Sequence, residues 1–177
     1  EADHSYASFK VMHMSRGELT GVFKDVQGKL RIDNDEVKKV DVDIAVASVD
    51  TFSAARDAHL KSPDYFNARR YPKMKFRSTK INKLSDGSYR FEGQLTIRGK
   101  TRSSVAKGKR GVTGKDPFGG QRTGGNVYLT INRRDFGITH MPAELVGDEI
   151  VVDLYWEALE KSTVQTYAKN LAKALGQ

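Results

Sequence analysis

The 177-residue chain contains no cysteine. That excludes disulfides, thiol catalysis and thiolate metal sites. No apolar run approaches the ~20 residues that a bilayer-spanning helix needs, and hydrophobic residues make up 38% of the chain. Histidine is scarce: His4, His13, His59 and His140 are the four, and none stands in an HxH, HxxH or HExxH spacing. A metal site would need tertiary convergence, and no metal ligands are expected. There is no GxSxG elbow, no nucleophile–base signature and no pair of carboxylates in an apolar run, so an enzyme is not expected. One candidate phosphate loop fails twice: Lys109 stands where the first glycine of GxxxxGK[ST] belongs, and Asp116 follows Gly114–Lys115 where Ser or Thr is required. The chain opens at Glu1 without a charged and apolar leader, which suits a processed form or a trimmed one. There is no Asn-Xaa-Ser/Thr sequon, so eukaryotic secretion is a needless assumption.

What is abundant is two-residue alternation. Val40, Val42, Ile44 and Val46 alternate with Asp41, Asp43, Ala45 and Ala47. Ala7, Phe9, Val11 and His13 form one parity set, and Tyr89, Phe91, Gly93, Leu95 and Ile97 another. Met74 and Phe76; Val127, Leu129 and Ile131; and Ile150, Val152, Leu154 and Trp156 repeat the pattern. Each set marks a strand with one apolar and one wet face. Turns are expected at Gly28, Asp86–Gly87 and Gly147–Asp148. Seven or eight such strands with short polar links imply an all-β, antiparallel sheet closed into a barrel, which removes exposed edges. A barrel of about eight strands has room inside for one small ligand. At this length a single domain, residues 1–177, is expected.

Two helical pieces interrupt the pattern. An insertion near residues 53–67 contains Arg56, Asp57 and His59, followed by Ser62–Phe66 and Tyr71–Pro72. Arg56 and Asp57 are expected to fix the insertion by ion pairing and capping, with acid–base catalysis the less economical reading. At the end, Val164, Tyr167, Leu171, Ala174 and Leu175 recur at helical spacing, giving a C-terminal helix over 163–175. Ser162 or Thr163 would cap its start. It would pack on the barrel or plug one end, a membrane or dimer contact being the alternative.

Ser103–Gly125 holds seven of the sixteen glycines, together with Lys107, Lys109, Arg110, Lys115 and Arg122. A weak or edge strand is expected there, and whether it is a gate, an edge or a headgroup site is open. The net charge of +8 attracts anionic surfaces or simply keeps the protein soluble.

Several segments resemble the YceI-like family of lipocalin-like bacterial lipid-binding proteins. They are Ala45–Thr79, His4–Ser5 with Val11–Met14, Gly21–Gly28, Gly93–Arg102, Asp116–Gly119 and Asn132–Ile138. The likeness runs from about residue 3 to about residue 158. It implies a lipocalin-like barrel that binds a long amphiphile such as a polyisoprenoid quinone, a polyprenyl phosphate or a fatty acid derivative, with no catalytic cofactor. Transport, storage and sequestration fit equally. Parity nominates the lining: Phe9, Val11, Phe23, Val42, Ile44, Val46, Met74, Phe76, Phe91, Leu95, Val127, Leu129, Ile131, Val152, Leu154 and Trp156. Phe66, in the insertion, joins them as an aromatic with a core to reach. His13, Arg56, Tyr65 or the basic loop would meet the headgroup. The resemblance also implies a periplasmic or secreted location and a hydrophobic ligand. The positive charge adds an anionic membrane surface as a partner. No nucleic acid is expected, because the aromatics Phe66 and Tyr71 have a core to join, and a monomer or homodimer is expected. The alternatives are a basic module for anionic surfaces or partners, and an enzyme acting on a lipid.

Overall fold

A computed structural model describes residues 4–176. The described strands are β1 (Tyr6–His13), β2 (Gly17–Phe23), β3 (Val26–Asp33), β4 (Glu36–Ala45), β5 (Val49–Asp50), β6 (Lys73–Lys83), β7 (Tyr89–Ile97), β8 (Lys100–Arg110), β9 (Gly114–Lys115), β10 (Gln121–Asn132) and β11 (Val146–Leu159). Helix α1 (Ala54–Lys61) lies between β5 and β6, and α2 (Val164–Ala174) follows β11. All strand pairs are antiparallel, in the order β3-β4-β6-β7-β8-β10-β11-β1-β2-β5, with β9 beside β10.

The two ends of that path belong to one bent hairpin. Lys24–Asp25 separate β2 from β3, and the 3-10 turn Val46–Ser48 separates β4 from β5. Backbone bonding continues across the bend: Lys24 N–H donates to the Ser48 carbonyl (3.3 Å) and Ala45 N–H to the Asp25 carbonyl (3.0 Å). Counted as two bent strands, these pieces bring the curled, barrel-like sheet to the eight strands expected from the alternation. The circuit of pairs runs through this hairpin, and beyond the bend one edge of β3 and one of β5 stay unpaired. Among the described residues β3 pairs only with β4, and β5 only with β2.

Of the three expected turns, two differ from expectation. Gly28 sits inside β3 opposite Val42. The hairpin reverses instead at Asn34–Asp35, whose φ angles of 49° and 59° suit a two-residue primed turn that Asn and Asp tolerate. Gly147–Asp148 lies within β11, where the register with β1 slips between Val11 and His13. This is a β-bulge, and the chain reverses just before it, with Leu145 and Val146 N–H both bonded to the Pro142 carbonyl. The Asp86–Gly87 turn forms as expected, with Gly87 at φ 79°.

β8 is an edge over its first part only: among the described residues, Lys100–Ala106 pair with β7 alone, while Lys107–Arg110 pair with β10. Glycine serves close approach there: a Cβ at Gly125 would collide with the Lys109 carbonyl, and one at Gly108 with the Asn126 carbonyl. The glycines that weaken strand propensity in isolation are what permit this short seam.

The C-terminal helix begins one residue later than expected. Thr163 stands at its N-cap but does not cap it with its side chain. Its hydroxyl instead accepts from Gln121 N–H (3.0 Å) and donates to the Glu160 carbonyl (2.9 Å). The helix packs on the loop between β9 and β10. Tyr167 meets the Phe118 ring edge-on at 5.9 Å, Arg122 lies over Tyr167 at 5.1 Å, and Asn170 donates to the Phe118 carbonyl at 2.9 Å.

Candidate ligand cavity

The alternating apolar faces converge on an interior cavity of about 260 Å³. Every apolar residue nominated from parity borders it except Val46. Val46 begins the 3-10 turn at the hairpin bend, where the two-residue period ends, and is packed in the core at 1% exposure. Many lining residues, including Phe9, Val42, Ile44, Leu95, Ile131 and Leu154, are only partly buried. They face the cavity rather than a filled core. Gly21 and Gly93 leave room for this lining, since a Cβ at either would strike the ring of Phe9 or Phe76.

The insertion closes one end. Ser53 accepts the Arg56 N–H and caps α1. Arg56 and Asp57 do fix the segment, but through buried Thr51 rather than by pairing with each other. Asp57 accepts from Thr51 N–H (2.8 Å) and hydroxyl (2.6 Å), while Arg56 donates to the Thr51 hydroxyl (2.8 Å) and carbonyl (2.6 Å). So held, the insertion sends Phe66 edge-on into Phe23 at 5.5 Å and buries Tyr65 beside the cavity. Burial pushes the Tyr65 phenol up from its ordinary pKa.

Arg133 completes that floor. It is 3% exposed and borders the cavity. Its guanidinium donates to five carbonyls: Ile138 (2.9 Å), His140 (2.7 Å), Met141 (2.9 Å), Val146 (2.8 Å) and Gly147 (3.1 Å). Asp148 adds an ion pair at 3.0 Å. Burial lowers the Arg133 pKa, and Asp148 opposes that shift. Gly137, at φ 74°, ends the preceding 3-10 turn and lets Phe136 and Ile138 both reach the core.

At the other end the β3–β4 hairpin folds over the sheet. Val37 packs with Tyr89, Phe91 and Ala106. The Arg110 side chain, 9% exposed, bonds the Asp35 carboxylate and carbonyl at the hairpin tip. Arg110 shares the parity of Ala106 and Gly108, so the basic segment does contribute a cation to the cavity boundary. On the outer face, Arg77 bonds Asp43 across β4 and β6 and holds that carboxyl below its ordinary pKa.

His13 and Arg56 lie elsewhere. The bulge at the end of β1 puts His13 with Arg56 in a second groove of about 250 Å³, beside Met12, Met14, Met141 and Leu145. Phe9, Val11, Leu60, Tyr65 and Val146 border both spaces. Lining residues not nominated from sequence include Leu30, Val37, Val40, Arg133, Phe136 and Ile138. Leu30 and Val40 carried a usable alternation signal. Arg133 carried none, because a charged residue beside Arg134 and Asp135 reads as solvated.

With this geometry in view, the YceI-like domain model matches residues 1–158. A UPF0312 protein of Ectopseudomonas mendocina is 38% identical over 141 residues, covering 78% of this chain and 74% of its own length. The crystal structure of the Campylobacter jejuni YCEI protein superposes with a TM-score of 0.77 at 33% identity, covering 86% of this chain and 91% of that one. A polyisoprenoid binding domain from Saccharophagus degradans shares the fold at a TM-score of 0.63 and 14% identity, covering 89% and 94%.

Proposed function

The chain belongs to the YceI-like family, and from that premise we propose that it binds a long amphiphilic lipid inside the curled sheet. The observation that carries this reading is the apolar cavity of about 260 Å³ bordered by strands from around the sheet. Along β7, Phe91 and Ile97 both border it, and six strand steps at about 3.3 Å each give a length of ~20 Å. That is a bore for a single linear chain. Burying about ten CH₂ groups at about 0.8 kcal/mol each contributes ~8 kcal/mol before the cost of association is subtracted.

The cargo of this reading is a polyisoprenoid, such as a quinone or polyprenyl phosphate, or a fatty acid derivative. The Saccharophagus protein named as polyisoprenoid-binding supports that ligand class through its shared fold. A polar or anionic head would lie at the Arg110 end, where a nearly buried guanidinium and Lys109 border the mostly apolar cavity. The role is carriage, storage or sequestration rather than turnover, in a periplasmic or secreted location. Organic extraction of the purified protein, followed by mass spectrometry, tests it. The expected result is an isoprenoid or acyl species near one per chain. A protein that carries none and also refuses added quinones and fatty acids would remove the reading.

A further inference from the structure

The sequence offers no local metal motif, yet the fold brings two of its four histidines together. His59 comes from the last turn of α1, Asp64 from the turn after it, and His140 from the loop before β11. Their ligating atoms lie within 4.8 Å of one another. His59 Nε2 is 3.4 Å from Asp64 Oδ2, and the His59 and His140 rings meet edge-on with centroids 5.2 Å apart. We propose that His59, Asp64 and His140 form a binding site for a divalent transition-metal ion, with Zn²⁺ the reference case.

Three features support this assignment. The donor set is two imidazoles and one carboxylate, which suits Zn²⁺, Cu²⁺ or Ni²⁺ and is poor for Ca²⁺ or Mg²⁺, which prefer all-oxygen shells. Bonds of about 2.0–2.1 Å at tetrahedral angles place ligand atoms ~3.3 Å apart. The His59–Asp64 pair already has nearly that spacing, and the remaining contraction falls within rotation of side chains that are exposed or half-exposed.

The backbone around the cluster is also fixed. Arg133 holds the His140 carbonyl at 2.7 Å, and Arg98 donates to the Pro63 carbonyl at 2.7 Å. Buried Tyr65 packs edge-on against both imidazoles, at 5.0 and 5.2 Å. A metal here would tie the insertion to the 138–142 loop at the floor of the cavity. The site does not rest on the lipid reading, since neither imidazole borders the main cavity.

Calorimetric titration of the untagged full chain with Zn²⁺ tests the proposal, with Ca²⁺ and Mg²⁺ in parallel. One Zn²⁺ per chain is expected, and no saturable binding of the other two. His59→Ala and His140→Ala should each weaken Zn²⁺ by at least about tenfold. Zn²⁺ should raise the melting temperature of the wild type and leave that of His140→Ala unchanged, with circular dichroism confirming that the variant is folded. No saturable Zn²⁺ binding up to about 1 mM, or equal affinity in wild type and both histidine variants, would overturn it.

Discussion

Arg133→Met removes a guanidinium that donates to five backbone carbonyls and pairs with Asp148; of these acceptors, the Met141 carbonyl keeps Arg134 at 3.3 Å. The methionine keeps an apolar stem but donates nothing. Buried carbonyls left without a donor cost about 1–3 kcal/mol each, less where water enters from the cavity. Asp148 keeps Arg134 at 2.7 Å, so its charge is not orphaned. Breaking a buried charged cluster of this kind typically costs about 3–5 kcal/mol, and the number of carbonyls involved argues for the upper half. In a chain of this size each kcal/mol shifts the melting temperature by about 2–4 °C, so a fall of ~8–20 °C is expected. Arg133→Lys keeps the charge with three donors in place of five and should lose about half as much. Arg134→Ala, at the half-exposed neighbour, should cost about 1 kcal/mol or less. Urea and thermal unfolding read all three. If Arg133→Met lies within about 1 kcal/mol of wild type, the clamp does not organise the cavity floor as argued.

Two further outcomes follow from the seam and the surface charges. Gly125→Ala places a Cβ against the Lys109 carbonyl and should destabilise the β8–β10 seam by roughly 1–3 kcal/mol, read as faster amide exchange in Lys107–Arg110 than elsewhere in β8. Acid should also destabilise the fold. Asp43 is lowered by Arg77; at Glu157, burial acts upward but bonds from Tyr155 and Arg122 outweigh it. Groups lowered in the folded state contribute stability that is present above their unfolded pKa and lost as pH falls through the folded one. The urea midpoint should therefore hold from pH 7 to about 5 and decline below about pH 4; Asp43→Asn should remove part of that decline, and an identical decline would contradict the assignment.

How much of this could be read from sequence follows from the range of each signal. Parity is local, so Phe9, Leu129 and Trp156 could be assigned inward from a few neighbours. It fails where the period breaks, and this explains both Val46 at the hairpin bend and His13 beside the bulge. Gly28 read as a turn because glycine signals both turns and close approach, and here a Cβ would crowd the Asp41 carbonyl. The Arg133 clamp depends on carbonyls from a folded loop, and the meeting of His59 with His140 depends on the placement of the insertion. Neither has a local sequence signature.

The central claim is that the interior cavity holds the lipid, and filling it is the most direct test. Ile44→Trp and Leu129→Trp add bulk at two lining positions on separate strands, β4 and β10. Uptake of a long-chain fatty acid and of a polyisoprenoid quinone should be measured for wild type and both variants, with circular dichroism and melting confirming the fold. The account predicts stoichiometric uptake by the wild type and at least a tenfold loss in each folded variant. Uptake unchanged in both would place the lipid outside the cavity and contradict it.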